Sequence, residues 1–204
     1  FELPRLGRRL PGYYLNLEEI EAALSYAFQF QKCPIRDRAI LEVYFATGIR
    51  RMELARLELQ DVDIRERLLA VRLGKGGSDR RVPIANRACD WVERYLGEVR
   101  PNLALLSSGS ALFLDNHGKR FKEKQLTNLV SRCVHRAGID KPGACNLFRH
   151  SAATLMHQNG ADLLYVQELL GHADISTTRV YIHLAIKKLR EVYAQTHPAA
   201  RGPD

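Results

Sequence analysis

Hydrophobic side chains recur every three to four residues along most of this 204-residue chain, a spacing typical of amphipathic helices. Asn16 and Glu19 form a capping box before the first such stretch. Pro34 suits the start of a second helix, which Thr47-Gly48 should end, and another short helix is expected near Arg50. The remaining helical stretches contain Trp91 to Val99, Leu126 to Ala137, Phe148 to Met156, Leu163 to Leu170 and Ile186 to Tyr193. The pattern restricts the fold to a mainly helical one.

One region departs from helical spacing. The runs Leu68 to Leu73 and Arg81 to Ile84 are β-like, and the glycine-rich segment 74–79 between them predicts a hairpin. Asp61 and Asp63 are expected to be turn residues ahead of the first strand, and Phe113-Leu114 could add an edge strand. The predicted fold class is therefore mainly α with a small antiparallel β-sheet. Residues 13–198 should form one domain, preceded by a basic, proline-containing linker at 1–12 and followed by a tail at 199–204.

Composition narrows the function. The chain has 31 Lys and Arg against 23 Asp and Glu, a net charge of +8, which favours a polyanionic partner. No apolar run reaches the roughly 18 residues of a membrane span, and the first residues lack the apolar centre of a signal peptide. Four isolated cysteines are expected to be reduced core thiols. We therefore expect a cytoplasmic protein with no membrane association.

Common catalytic motifs are absent from the sequence. Gly74-Lys75-Gly76 lacks the spacing of a Walker loop, and no G-x-S-x-G, H-E-x-x-H or EF-hand pattern occurs. Hydrolase and metalloenzyme chemistry are not favoured, and no metal or cofactor is expected.

Polar residues instead stand at the ends of the predicted elements, where side chains can converge on one surface. They are Arg50, Lys75 at the hairpin tip, Asn146 to His150, Leu169 to His172, and Ser176 to Tyr181. In this order they resemble the catalytic domain of the tyrosine site-specific recombinases, the phage-integrase-type family, and most closely its Xer-like bacterial branch. The resemblance runs from about Leu10 to Pro198, and Leu169 to Tyr181 is its most specific part.

The resemblance implies strand cleavage without metal or nucleotide. Tyr181 would attack a DNA phosphodiester and form a 3′-phosphotyrosine, which a hydroxyl of another strand later attacks. Arg50 and Arg149 would bind the non-bridging oxygens through their planar guanidinium groups. Lys75 would protonate the departing 5′ oxygen, and His172 would hydrogen-bond the phosphate.

Each of these residues also has a structural interpretation. Tyr181 could be a half-buried helix aromatic, Arg50 a surface charge or the partner of Glu53, and Arg149 an ordinary residue at a helix start. Lys75 could be a solvated turn lysine, and His172 could cap a helix end.

Asn146 departs from the family pattern, which has histidine at this position. Asparagine can donate a hydrogen bond to a phosphate but cannot accept the tyrosine proton. A structural role is favoured for His150, which follows Arg149. Two alternatives stay open: a recombinase-like DNA-binding protein with weak or lost cleavage, and a type IB topoisomerase-like enzyme that relaxes DNA.

The expected partner is double-stranded DNA. Between residues 119 and 136 there are six basic residues and one acid, Glu123; the predicted DNA contacts are Lys119, Arg120, Lys122, Lys124 and Arg132. The resemblance further implies an N-terminal DNA-binding domain before the linker. It also implies a tetramer on two DNA sites, or a partner recombinase, contacted through residues 185–196. The expected function is integration, excision or resolution of DNA, as in mobile elements, by a bacterial nucleoid-associated protein.

Overall fold

The computed structural model describes residues 13–72, 79–171 and 182–200, with the side chains of residues 163 and 182–188 excepted. Within these ranges the α-helices are α1 (Leu17–Phe30), α2 (Pro34–Thr47), α3 (Arg51–Arg56), α4 (Asn86–Arg94), α5 (Arg100–Leu103), α6 (Glu123–Arg136), α7 (Ala144–Gln158), α8 (Leu163–Leu170) and α9 (Ile182–Thr196). A π-helical turn, Tyr95–Val99, joins α4 to α5, and short 3₁₀ turns occur at Leu59–Asp61, Leu106–Ser108 and Pro198–Ala200. Each predicted helical stretch is confirmed.

The local signals at helix ends act as expected. The Asn16 side-chain oxygen accepts a hydrogen bond from the backbone N–H of Glu19, and the Asn16 backbone N–H donates one to the Glu19 carboxylate. Pro34 stands at the first turn of α2, and Gly48 ends that helix in the left-handed conformation, with φ of 58°. Because only glycine adopts this conformation without strain, the turn into Arg50 depends on it.

Helix α2 lies at the centre of the domain. It packs against α1, α4 and α7, and every residue from Arg36 to Thr47 is buried. The charged members of this run are paired: Arg36 with Asp37 and Arg38 with Glu42, each at 2.7 Å. Burial of α2 on all sides fixes the position of its C-terminal end, from which Arg50 emerges.

The sheet has three antiparallel strands in the order β1 (Val62–Asp63), β2 (Leu68–Val71) and β3 (Arg80–Pro83). The β2–β3 hairpin confirms the prediction, with Val71 opposite Arg80. Asp63, expected in a turn, is instead paired with Leu68. The prediction missed β1 because two residues are too few to show alternation.

Phe113-Leu114 does not form an edge strand of this sheet, and that expectation was wrong. Among the described residues, the stretch around it makes only isolated bridges, Leu114 with Arg120 and Ala111 with Glu58. Phe113 and Leu114 are both buried, and the Leu114 backbone N–H donates to the hydroxyl of Tyr95 at 3.0 Å. Packing on the helical layer therefore replaces sheet pairing here.

The C-terminal end of the described chain packs on the same core. Leu189 and Tyr193 of α9 are buried, and the Tyr193 hydroxyl donates to the Ala46 carbonyl at 2.7 Å. His197 is fully buried and stacks on Tyr193, with ring centroids 4.5 Å apart. Burial lowers the pKa of His197 to about 3, so the ring is neutral at physiological pH.

Candidate active site

A cleft of about 850 Å³ opens between the start of α3, one face of α6 and the N-terminal turn of α7. Three of the predicted site residues, Arg50, Asn146 and Arg149, line this cleft. The structure thus brings together side chains that are up to 99 residues apart in sequence. Lys75, His172 and Tyr181 lie outside the described residues.

Arg149 is a buried cation that main-chain oxygens hold in place. Its side chain donates to the carbonyls of Gly48 at 2.5 Å and Leu170 at 2.9 Å. These carbonyls lie at the C-terminal ends of α2 and α8, where unpaired carbonyls and the helix dipole favour a positive charge. Two of five N–H donors are used in this way, so the guanidinium retains donors for a ligand in the cleft.

Burial and neighbouring charge both act on Arg149. Burial is the largest cause, followed by the positive charge of Arg50; the charge of Glu53 opposes them and that of Arg80 adds to them, and together they lower the pKa of Arg149 to about 10. Arg149 is still protonated at neutral pH, although its burial and the neighbouring Arg50 make its positive charge unfavourable. An anion bound beside it would relieve that cost.

Arg50 reaches the cleft from the start of α3. Its Nη2 donates to the Gly171 carbonyl at 3.1 Å and its Nη1 to Glu53 at 3.1 Å. The ion pair with Glu53 that the sequence suggested as a structural role is therefore present. It does not withdraw Arg50 from the cleft, because 41% of the Arg50 side chain stays exposed.

Glu53 is a buried carboxylate that two arginines share. It accepts hydrogen bonds from the backbone N–H of Arg50 at 2.7 Å and from both terminal nitrogens of Arg80 at 2.9 Å. Burial by itself would raise the pKa of Glu53, but the hydrogen bonds and charge of Arg80 and Arg50 outweigh it and hold the pKa below its usual range. The negative charge of Glu53 is paired with Arg50 and Arg80 and also acts on Arg149, so the charge of these four residues is positive overall.

Asn146 is exposed at the third position of α7. It lines the same cleft as Arg50 and Arg149, so the position that is expected to depart from the family pattern borders the candidate site. His150 is half-buried; burial, followed by the charge of Arg149, lowers its pKa.

The predicted DNA-contacting residues do not form one stripe. Lys119, Lys122, Lys124 and Arg132 are exposed, and Lys124 is at helical spacing from Thr127 and Ser131, which line the cleft. Arg132 instead borders a separate hollow of about 270 Å³.

Arg120 has a structural role in the described chain. Its guanidinium donates to the carbonyls of Ala55 and Leu57 at 3.3 and 3.2 Å, which stabilises the end of α3. About two fifths of its side chain stays exposed, so contact with DNA is compatible with these bonds.

Sequence reasoning missed Arg80 and the central position of Glu53. Arg80 alternates with the buried Val82 on β3, whereas its neighbour Arg81 is exposed. A charged residue on the buried face of a strand needs a partner, and this was the available signal. The cleft also contains Arg51, His135 and Lys141, which nothing in the sequence singled out.

The described residues contain no group of three or more His, Cys, Asp or Glu side chains placed to hold a metal ion. Within the same ranges, no helix is long and apolar enough to cross a membrane.

Comparison with known proteins identifies the family. Residues 14–188 match the model of the phage integrase family. The chain is 46% identical over 198 residues to tyrosine recombinase XerC 2 of Ralstonia nicotianae, covering 97% of this chain and 57% of that protein. It is 40% identical over 197 residues to XerD of Lacticaseibacillus casei, covering 97% of this chain and 67% of that protein.

Solved structures agree with the sequence relatives. The XerA recombinase superposes with a TM-score of 0.73 at 33% identity, over 92% of this chain and 66% of that one. XerH bound to its difH substrate superposes with a TM-score of 0.68 at 25% identity, over 89% of this chain and 50% of that one. The chain thus spans only part of the length of these relatives. With a matching family model, these relatives and this fold, the chain belongs to the phage integrase family, as a tyrosine recombinase domain of the Xer-like type.

Proposed function

We propose that this chain is the cleaving part of a site-specific DNA recombinase that breaks and rejoins strands through a 3′-phosphotyrosine. The observation that carries the proposal is the pair of arginines in the cleft. Arg149 is 92% buried (8% exposed), its described hydrogen bonds go to main-chain carbonyls, and Arg50 lines the same cleft. Two such cations suit a phosphodiester whose charge grows in the transition state.

The proposed reaction conserves bond energy. The Tyr181 oxygen forms a bond to phosphorus, and the bond from phosphorus to the 5′ oxygen breaks. Lys75 supplies a proton to the leaving 5′ oxygen, while the phenol proton passes to water because the Asn146 amide cannot accept it. Reversal of this step by a hydroxyl of another strand rejoins the DNA. No nucleotide hydrolysis is required.

Exposed basic residues next to the cleft support double-stranded DNA as the partner. Lys122 immediately precedes α6 and Lys124 lies in its first turn, and both are exposed. They suit phosphates that flank the scissile one, which they would contact without reading sequence. A XerH structure bound to its difH substrate before cleavage, and another bound to a palindromic difH substrate after cleavage, both superpose on this chain.

Assembly into a tetramer, or with a partner recombinase, through residues 185–196 is part of the proposal. In the described chain α9 packs on its own domain through the buried Leu189 and Tyr193. Exchange with a neighbour would therefore require an equivalent groove for these two side chains on that neighbour. Size measurement of the natural protein on DNA with two sites tests this. A tetramer of subunits that pairs the two sites is expected, and subunits bound to unpaired sites would contradict the assembly.

One observation favours a second candidate function, a DNA-binding relative with weak or lost cleavage. Asn146 faces the cleft but lacks a group that can act as a base at neutral pH. This alternative predicts tight DNA binding without a covalent adduct.

Covalent trapping separates the two candidates. The protein is incubated, in EDTA, with nicked duplexes carrying a randomised central sequence, and complexes that survive denaturation are collected and their DNA sequenced. We expect an adduct with the natural protein and none with Tyr181→Phe. An adduct with Tyr181→Phe would assign the nucleophile to another residue. Absence of an adduct with the natural protein, together with retained DNA binding, would favour the second candidate.

A further inference from the structure

Arg80 makes the most complete contact with the Glu53 carboxylate. It is the first residue of β3, and only 13% of its side chain is exposed. Its Nη1 and Nη2 donate to the two separate oxygens of Glu53, both at 2.9 Å. This two-point geometry is the strong form of an arginine–carboxylate pair and fixes the carboxylate in orientation as well as position.

The carboxylate that Arg80 holds is also the one that orients Arg50. Glu53 accepts the Arg50 backbone N–H at 2.7 Å and its Nη1 at 3.1 Å. The Arg50 side chain is much more exposed than that of Arg80. An exposed ion pair with Glu53 would by itself do little to hold the Arg50 guanidinium in one orientation. Because Arg80 holds both oxygens of Glu53, the carboxylate that accepts the Arg50 hydrogen bond is fixed in one position.

Arg80 also contacts the second support of Arg50. A Cβ atom placed on Gly171 would lie 2.5 to 2.7 Å from the Arg80 guanidinium, so the Gly171 backbone is packed directly on it. The Gly171 carbonyl accepts the Nη2 of Arg50 at 3.1 Å. Both acceptors of the Arg50 guanidinium, Glu53 and Gly171, are therefore in contact with Arg80.

We propose that Arg80 is a positioning residue for strand cleavage, which holds Glu53 and the end of α8 so that Arg50 presents its guanidinium to the scissile phosphate. This inference rests on the proposed function and adds a residue that acts through Arg50 without touching DNA. Arg80 is the first residue of β3, the strand that follows Lys75 in sequence. Its pair with Glu53 therefore fixes the start of β3 beside Glu53 and Arg50.

Single-turnover cleavage of nicked DNA tests the role in catalysis. Arg80→Ala should cleave about 10- to 100-fold more slowly, since small misplacements of a catalytic group cost up to about 10² in rate. Arg80→Lys, which keeps the charge but not the two-point contact, should recover only part of the rate. Affinity for intact DNA should change less than about threefold in both. Arg81→Ala, which removes an exposed arginine from the same strand, is the matched control and should cleave normally.

A double variant tests whether Arg80 acts through Glu53. If it does, Arg80→Ala combined with Glu53→Gln should cleave no more slowly than the slower single variant. Multiplication of the two single effects would overturn the proposal. So would a normal rate in Arg80→Ala, or equal rates in Arg80→Ala and Arg81→Ala.

An NMR measurement on the protein without DNA tests the positioning role of Arg80 independently of whether the protein cleaves DNA. Carbon-13 NMR titration of the Glu53 carboxyl should give a higher pKa in Arg80→Ala than in the natural protein, and no change in Arg81→Ala. If the natural protein does not cleave, the proposed function fails, and the titration together with the Arg50 side-chain NMR signals still decides whether Arg80 orders this pair. An unchanged Glu53 pKa and unchanged Arg50 signals in Arg80→Ala would overturn the positioning role.

Discussion

Replacement of Glu53 by glutamine should destabilise the fold strongly, although the two side chains have nearly the same shape. The carboxylate is 5% exposed and accepts two bonds from Arg80, whose side chain is 13% exposed. Glutamine keeps one acceptor and turns an NH₂ group towards an arginine donor. Removing one partner of a buried ion pair costs about 3–5 kcal/mol. We expect the lower end, about 3 kcal/mol, because Arg50 is partly exposed and its share is screened by solvent.

Urea unfolding followed by circular dichroism measures this change. For a chain of this size, about 3 kcal/mol corresponds to a fall in Tm of roughly 6–12 °C. The effect should depend on pH with a definite sign. The pKa of Glu53 is lower in the folded state than its ordinary value of 4.5, so the stabilisation is fully present above that value and is lost as the pH falls through the lower, folded-state pKa. The difference in the free energy of unfolding between the natural protein and Glu53→Gln should therefore become smaller in acid.

Glu123→Gln is the matched control. Glu123 pairs with Arg51 at 2.9 Å, but both side chains are about two fifths exposed. Its loss should cost less than about 1 kcal/mol. If Glu53→Gln were no more destabilising than Glu123→Gln at pH 7, or if its effect grew in acid, the assignment of Glu53 as the shared buried counter-ion would be wrong.

Three further predictions concern DNA. Arg50→Ala and Arg149→Ala should each slow single-turnover cleavage by about 10² or more, as loss of a transition-state donor typically does; near-normal rates would remove the residue from the site. Neutralising Lys122 and Lys124 together should reduce the slope of log affinity against log salt by up to about two, and an unchanged slope would place them away from phosphates. Asn146→His should hold or raise the cleavage rate with little change in affinity, because it restores a proton acceptor worth about 10² to 10⁴ at most; Asn146→Ala should be slower than the natural protein.

Controls for these measurements come from the same elements. Arg56→Ala removes an exposed arginine from α3 and should cleave normally, in contrast to Arg50→Ala. Arg136→Ala removes an exposed arginine from the C-terminal end of α6. It tests whether the loss of any positive charge from that helix reduces the slope of log affinity against log salt. If Asn146→Ala matches the natural protein in rate, the position has no part in catalysis.

Local patterns in the sequence were sufficient to predict the helices and the hairpin, and the resemblance they carry gave the order of the candidate site residues. The helices follow from the spacing of apolar side chains, and their ends follow from residues such as Asn16, Pro34 and Gly48, which act within a few positions of themselves. The hairpin follows from two short runs separated by glycines. Arg50, Asn146 and Arg149 were identified from the resemblance, and their common cleft agrees with it.

The contacts that support the candidate site join elements that are distant in sequence. Arg149 is held by a carbonyl 101 positions away and Arg50 by one 121 positions away, and no local pattern encodes such contacts. Main-chain carbonyls at the ends of α2 and α8 carry no side-chain signature, so their role cannot be seen in the sequence. The sharing of Glu53 by Arg50 and Arg80, the attachment of Arg120 to the end of α3 and the burial of His197 all depend on which elements meet. The reason is physical: periodicity and capping act over a single turn, whereas burial, charge balance and orientation depend on the packing of the whole domain.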